Sequence, residues 1–143
     1  MRLWSWQILS SLPDMQLKGQ WRECCLIADG LAKNGTPNHL LVNKVTEYPL
    51  DEFMTYCKKV SQEMYNRGFP TTLKSQQKVY FTPWKYISDE LFKDWHNKEY
   101  LRVCLSNLYE KHHFGVGKSR ITDAEWERLC VGYKNITGDE YEI

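Results

Sequence analysis

Residues 14 to 32, DMQLKGQWRECCLIADGLA, constrain the fold more than any other stretch of this chain. Leu17, Trp21, Cys24, Cys25, Ala28 and Leu31 recur at helical spacing and make one wide apolar face. Nearly opposite stand Gln16, Gly19 and Glu23, flanked by three more apolar residues, Met15, Leu26 and Ile27. A helix that is apolar on more than one side is normally sandwiched inside a fold. The preceding SSLPD supplies capping residues and a proline for its first turn.

The charges inside this helix pose the first functional question. In QWRECC (20 to 25), Arg22 and Glu23 sit side by side between a tryptophan and two cysteines. Adjacent helical residues point about 100° apart, so they are not an exposed i,i+4 pair. Glu23 on a sandwiched helix is at least partly buried, and a carboxylate taken out of water needs a partner. Gly19, one turn earlier, costs helix stability, and its missing side chain lets something approach closely. From spacing alone, the simpler reading is a structural Glu23–Arg22 pair that fixes helix packing. The other is a small polar slot on an otherwise apolar helix.

Helix signals continue along the chain. YPLDEF opens a second long helix, about 50 to 67, with Phe53, Cys57, Val60 and Met64 on one stripe, closed by Gly68 and Pro70. A third spans about 96 to 111, with Leu101, Cys104, Leu105 and Leu108 as its core face. A short helix is expected from Ser88 to Trp95, and TDAE (122 to 125) fits a capping box before a last helix holding Trp126, Leu129 and Cys130. Residues 36 to 48 and 69 to 86 carry β-branched residues that fit short strands, yet no hairpin pair is convincing. The expectation is an all-α, compact single-domain helical bundle over residues 1–143.

The 143 residues suffice for one proper core, and 42% hydrophobic content excludes a disordered chain. No apolar run is long enough to span a bilayer, and MRLWSWQ lacks the apolar core of a signal peptide, so the expected location is the cytoplasm, with no membrane partner. Five cysteines, odd in number and without a CxxC, read as free thiols. Histidines and carboxylates lack ligand spacing, so neither a metal nor another cofactor is expected. Net charge is only +1, but residues 58 to 86 carry Lys58, Lys59, Arg67, Lys74, Lys78 and Lys85 against Glu63 alone. Within that region KSQQKVYFTPWKY mixes basic and aromatic residues as single-strand or flipped-base binders do, and a solvated loop with core aromatics has the same composition. In KHHFGVGKSR, a glycine-bearing phosphate-binding loop and a plain helix terminus both fit.

MRLW at the start, LPDMQLKGQWRECC, NHLL (38 to 41) and EMYNRGF (63 to 69) together resemble the pyrimidine-dimer DNA glycosylases of the phage endonuclease V type, and most of all a bacterial branch of that family. The likeness is dense over the first half and thins after residue 70, where DWHNKEY is similar to the family's stretch around a histidine near its third helix. The resemblance implies a helical bundle with helix 1 central. It implies a DNA repair glycosylase with abasic-site lyase activity, probing double-stranded DNA that contains a damaged or abasic site, as a monomer. The nucleophile it implies is the N-terminal α-amine, here that of Met1, which attacks C1′ of the damaged nucleotide and forms an imine that β-elimination resolves. Arg2 is too large for the usual trimming of the initiator, so Met1 is expected to remain. The essential carboxylate corresponds to Glu23. Arg2 and Arg22 correspond to phosphate contacts, and Gln16, His39 and His96 to further residues around the site. A hydrogen-bonded core role is the simpler reading for His96.

This chemistry has a physical basis. An α-amine has a reference pKa of about 7.7–8.0, so a useful fraction is neutral near neutral pH, unlike a lysine. C1′ gains positive character as the base departs, and a fixed carboxylate stabilises that charge and can move protons. The chain departs from the family at Met15–Gln16, where the family has Gln–His, at Leu26, where it has arginine, and in the acidic tail GDEYEI. The lesion is thereby left open between pyrimidine dimers, other damage and bare abasic sites. The alternative function is a non-catalytic DNA- or protein-binding bundle that keeps the fold.

Overall fold

The computed structural model describes residues 2–33 and 40–143. Met1 and His39 lie outside the described residues. Six α-helices follow in order: α1 (Asp14–Ala32), α2 (Leu40–Val45), α3 (Leu50–Asn66), α4 (Leu73–Val79), α5 (Lys98–His113) and α6 (Asp123–Thr137). Two 3-10 turns, Trp6–Ser11 and Gly117–Ser119, accompany them, and no strand occurs among the described residues. The fold is all-α. The chain divides into two compact units, one of Met1–Leu3 with Lys18–Phe92, the other of Trp4–Leu17 with Lys93–Ile143.

In the first unit, α3 buries Phe53, Met54, Tyr56, Cys57, Val60 and Met64, the stripe expected from its sequence. Its end is built as the glycine predicts. Gly68 adopts φ +83°, and the Phe69 and Gly68 N–H groups cap the carbonyls of Met64 and Tyr65. The ambiguous stretches contain helices instead of strands. Thr72 caps α4 by accepting from Ser75 N, and α2 buries Val42 and Val45. The helix expected from Ser88 to Trp95 does not form. Phe92 sits at φ +51°, a left-handed conformation no continuous helix admits, and its N–H donates to Glu52 Oε1 at 2.7 Å. Its fully buried ring meets Tyr48 edge-on at 5.3 Å, so packing and one charge-assisted hydrogen bond hold the strained residue.

In the second unit, α5 begins at Lys98 because the Asn97 side chain accepts from Tyr100 N, two residues later than expected, and it leaves His96 outside the helix. Leu101, Cys104, Leu105 and Leu108 are fully buried. Thr122 and Glu125 form the expected capping box of α6. α6 packs on α5 and on the 3-10 turn Trp6–Ser11, so closely that a Cβ on Gly132 would clash with Ser11 Oγ. That glycine is there for contact distance.

Candidate active site on the first long helix

Gln16, Gln20, Glu23 and Ile27 share one row of α1, and all four are buried. Three consecutive polar members of a buried row require partners. Gln16, in the second unit, donates from Nε2 to the Ser119 carbonyl at 3.1 Å. Gln20, in the first unit, accepts from the Tyr56 hydroxyl at 2.9 Å and donates from Nε2 to the carbonyl of Arg2 at 3.1 Å. Tyr56 is fully buried and Gln20 nearly so. This Tyr56–Gln20–Arg2 chain fixes the backbone of Arg2 against α1. Neither Gln20 nor Tyr56 was singled out from sequence as a site residue. The available signal was Gln20 standing three residues before Glu23, on the same row.

Glu23 comes one turn after Gln20. The residue is 9% exposed, and Oε1 is buried with no hydrogen-bond partner among the described residues. An unsatisfied buried acceptor costs about 1–3 kcal/mol, more when charged, so this carboxylate is held at the fold's expense. The structural Arg22–Glu23 pair favoured by spacing is not formed. The turn of about 100° per residue sends Arg22 into solvent while Glu23 faces inward, and the two make no ion pair. Gly19 stands one turn before Glu23 on the same helix. A Cβ there would meet only Arg22 Nη2, at 3.7 Å, so nothing in the protein's own packing demands a glycine.

Beside Arg22 a hollow of about 460 Å³ opens, with Trp21, Cys25, Leu26 and Met64 among its apolar lining. Trp21 is fixed by donating from Nε1 to Ser75 Oγ at 3.2 Å, which ties α1 to α4. Burial raises the Cys25 thiol's pKa, and the neighbouring Cys24 adds to the shift, so it stays a neutral lining group. α1 thus carries a buried carboxylate beside the clamped backbone of Arg2 on one side and, about 100° round the helix, a solvent-facing guanidinium over an apolar hollow that Glu23 does not line.

The histidines fall elsewhere. His96, in the second unit, accepts from Trp6 N at 3.2 Å through Nδ1 and stacks on Tyr100 at 4.9 Å. Burial lowers its pKa to about 3, so it is a neutral structural residue over the ordinary pH range. His112 ties the end of α5 to the start of α6 through Asp123, at 2.8 Å, and its ring stacks on Trp126. KHHFGVGKSR is therefore a helix terminus followed by a short 3-10 turn. Among the described residues, no three His, Cys, Asp or Glu side chains are grouped as a metal site, and no helix is long and apolar enough to cross a membrane.

An all-α protein with a buried carboxylate on its first long helix, one oxygen of it unpartnered among the described residues, is the class that fold and site define. The pyrimidine dimer DNA glycosylase family matches residues 1–77, and the chain belongs to that family. At family level it is a DNA repair enzyme, a glycosylase whose substrate is DNA. The matched segment carries Arg2, Gln20, Arg22, Glu23 and Tyr56. No curated protein and no solved structure matches the chain.

Proposed function

We propose that the chain is a DNA glycosylase with abasic-site lyase activity, in which the α-amine of Met1 is the nucleophile and Glu23 the essential carboxylate. One observation carries this reading. Glu23 keeps a buried oxygen without a partner among the described residues, one helical turn from the point where Gln20 holds the backbone of the residue after Met1. A carboxylate kept at that cost beside a clamped N-terminal segment fits a reaction that needs a fixed negative charge near a free amine.

The neutral amine attacks C1′ of the damaged nucleotide, the glycosidic C1′–N bond breaks, and the base leaves with a proton. The ring oxygen then takes a proton and departs from C1′, leaving a protonated imine between C1′ and the Met1 nitrogen. Loss of a proton from C2′ drives β-elimination, which breaks the C3′–O bond and releases the strand that begins with the 5′ phosphate. Glu23 offsets the positive character that develops at C1′ and carries protons between these steps. With a reference pKa of about 7.7–8.0, roughly a quarter of the amine is neutral near pH 7.4. Arg2 and Arg22 contact phosphates that flank the lesion, and Arg22 does so from the rim of the apolar hollow.

Borohydride reduction in the presence of an abasic duplex tests the proposal. Tag-free protein is expected to form a covalent complex whose cross-link maps to the N-terminal residue by mass spectrometry. Acetylating the N-terminus abolishes trapping, and Glu23→Gln suppresses turnover. A tag-free protein that never traps, or one that traps through a lysine, overturns the assignment.

A further inference from the structure

The outward face of α3, in the first unit, is cationic and rich in amides and tyrosines, and nothing in the proposed chemistry uses it. Two hollows flank a ridge made by Lys58 and Gln62, which line both of them. One, of about 330 Å³, is completed by Lys59, Asn66 and Tyr86. The other, of about 360 Å³, is completed by Tyr65, Gln76 and Tyr80. Each hollow presents an exposed aromatic ring, Tyr86 at 49% and Tyr65 at 70% exposure. Behind the ridge an aromatic row joins them: Tyr80 stacks on Trp84 at 5.3 Å with an interplanar angle of 12°, and Trp84 meets Tyr86 at 6.4 Å.

The row is held in place. Lys59 Nζ donates to the Tyr86 hydroxyl at 3.2 Å, and the Tyr80 hydroxyl shares a hydrogen bond with Ser61 Oγ at 3.4 Å. Burial raises the Tyr80 pKa to about 12, so that hydroxyl keeps its proton. Charge favours an anion here. Lys58 and Lys59 line the first hollow against a single carboxylate, Glu63, which is itself paired with Arg67 at 3.4 Å. Gln62 is bonded to Asn66 at 3.1 Å, and Gln76 to Thr71 at 2.8 Å, so the amides are ordered and still have capacity to reach a base edge.

A lysine between two open hollows, each with room for a base and each with a tyrosine ring, matches one polymer. Its phosphates are spaced along a backbone, and its unstacked bases need π-faces. We propose that this face of α3 binds a single-stranded nucleic-acid segment, with one base on each side of Lys58 and the intervening phosphate on its ammonium. Duplex DNA offers phosphates but no free base faces, so the tyrosines separate the two ligands. The inference does not rest on the Met1–Glu23 chemistry.

Fluorescence anisotropy with a labelled ten-residue oligothymidylate tests it, using the full chain. Wild-type protein is expected to bind it more tightly than an undamaged hairpin duplex of equal phosphate count. Lys58→Gln should weaken binding at least threefold and reduce the salt slope by about 0.7. Tyr86→Leu and Tyr65→Leu should each weaken it at least fivefold, as removal of one stacking partner does. These are surface positions, so circular dichroism should be unchanged. Glu23→Gln is expected to leave oligothymidylate binding intact, and Lys58→Gln to leave borohydride trapping on an abasic duplex intact, which separates failure of this proposal from failure of the lyase reading. Heparin competing as well as oligothymidylate, affinity that ignores both tyrosines, or equal affinity for duplex would each overturn the single-strand site.

Discussion

Replacing Glu23 by methionine removes the charge and both oxygens while keeping an unbranched side chain of similar length. In the structure Oε1 is buried and unpartnered among the described residues, so the substitution removes an unsatisfied acceptor worth about 1–3 kcal/mol. The variant should therefore be more stable than the parent by about that amount. With an urea slope on the order of 2 kcal/mol/M, the unfolding midpoint rises by roughly 0.5–1.5 M. Unfolding should be followed near pH 9.5, above the ordinary α-amine range of about 7.7–8.0, so that a charge on the N-terminus contributes little. The same variant should lose glycosylase turnover by about 10²–10⁴-fold, the usual worth of a group that handles protons and charge in the transition state. Gain of stability with loss of activity is the signature of a carboxylate kept for chemistry. A loss of about 3–5 kcal/mol would refute the reasoning, because that is the effect of breaking a buried ion pair. Undiminished turnover would refute it from the other side.

Three further outcomes follow from the same geometry. Tyr56→Phe removes the hydroxyl that orients Gln20; it should cost about 1–2 kcal/mol in unfolding experiments and lower kcat more than it weakens DNA binding, whereas a change confined to binding would exclude a positioning role. Gly19→Ala meets only Arg22 at 3.7 Å and should raise stability by about 1 kcal/mol, while the added methyl impedes a strand approaching α1; unchanged affinity for an abasic duplex would remove Gly19 from the site. His96 stays neutral in the folded state down to about pH 3, whereas an unfolded histidine protonates near 6.5. Its contribution is complete above pH 6.5 and declines as pH falls, by about 2 kcal/mol at pH 5. His96→Gln should flatten that decline between pH 7 and 5 in urea titrations, and an equally steep decline in the variant would show that other groups cause it.

Local signals accounted for the elements and for the row that carries the site. Periodicity and Gly68 place α1, α3 and α5 to within about two residues, and the Thr122–Glu125 capping box gives the start of α6, because caps and apolar spacing act over one or two turns. The same periodicity placed Glu23 away from the main apolar face. α4 and the extended path through Phe92 were not legible in the same way. The seven residues of α4 are tied to α1 by the bond from Trp21 to Ser75, and Phe92 accepts a left-handed conformation because Glu52 and two tyrosines hold it. Those partners lie dozens of residues away in sequence. The site divides along the same line. The residues of QWRECC fix that a carboxylate and a guanidinium leave the helix about 100° apart. Only the tertiary structure decided that they do not pair, that Gln20 spends its amide on the Arg2 backbone, and that one oxygen of Glu23 has no partner among the described residues. Burial and hydrogen-bond satisfaction are properties of what surrounds a helix, and a helix's own sequence does not contain its surroundings.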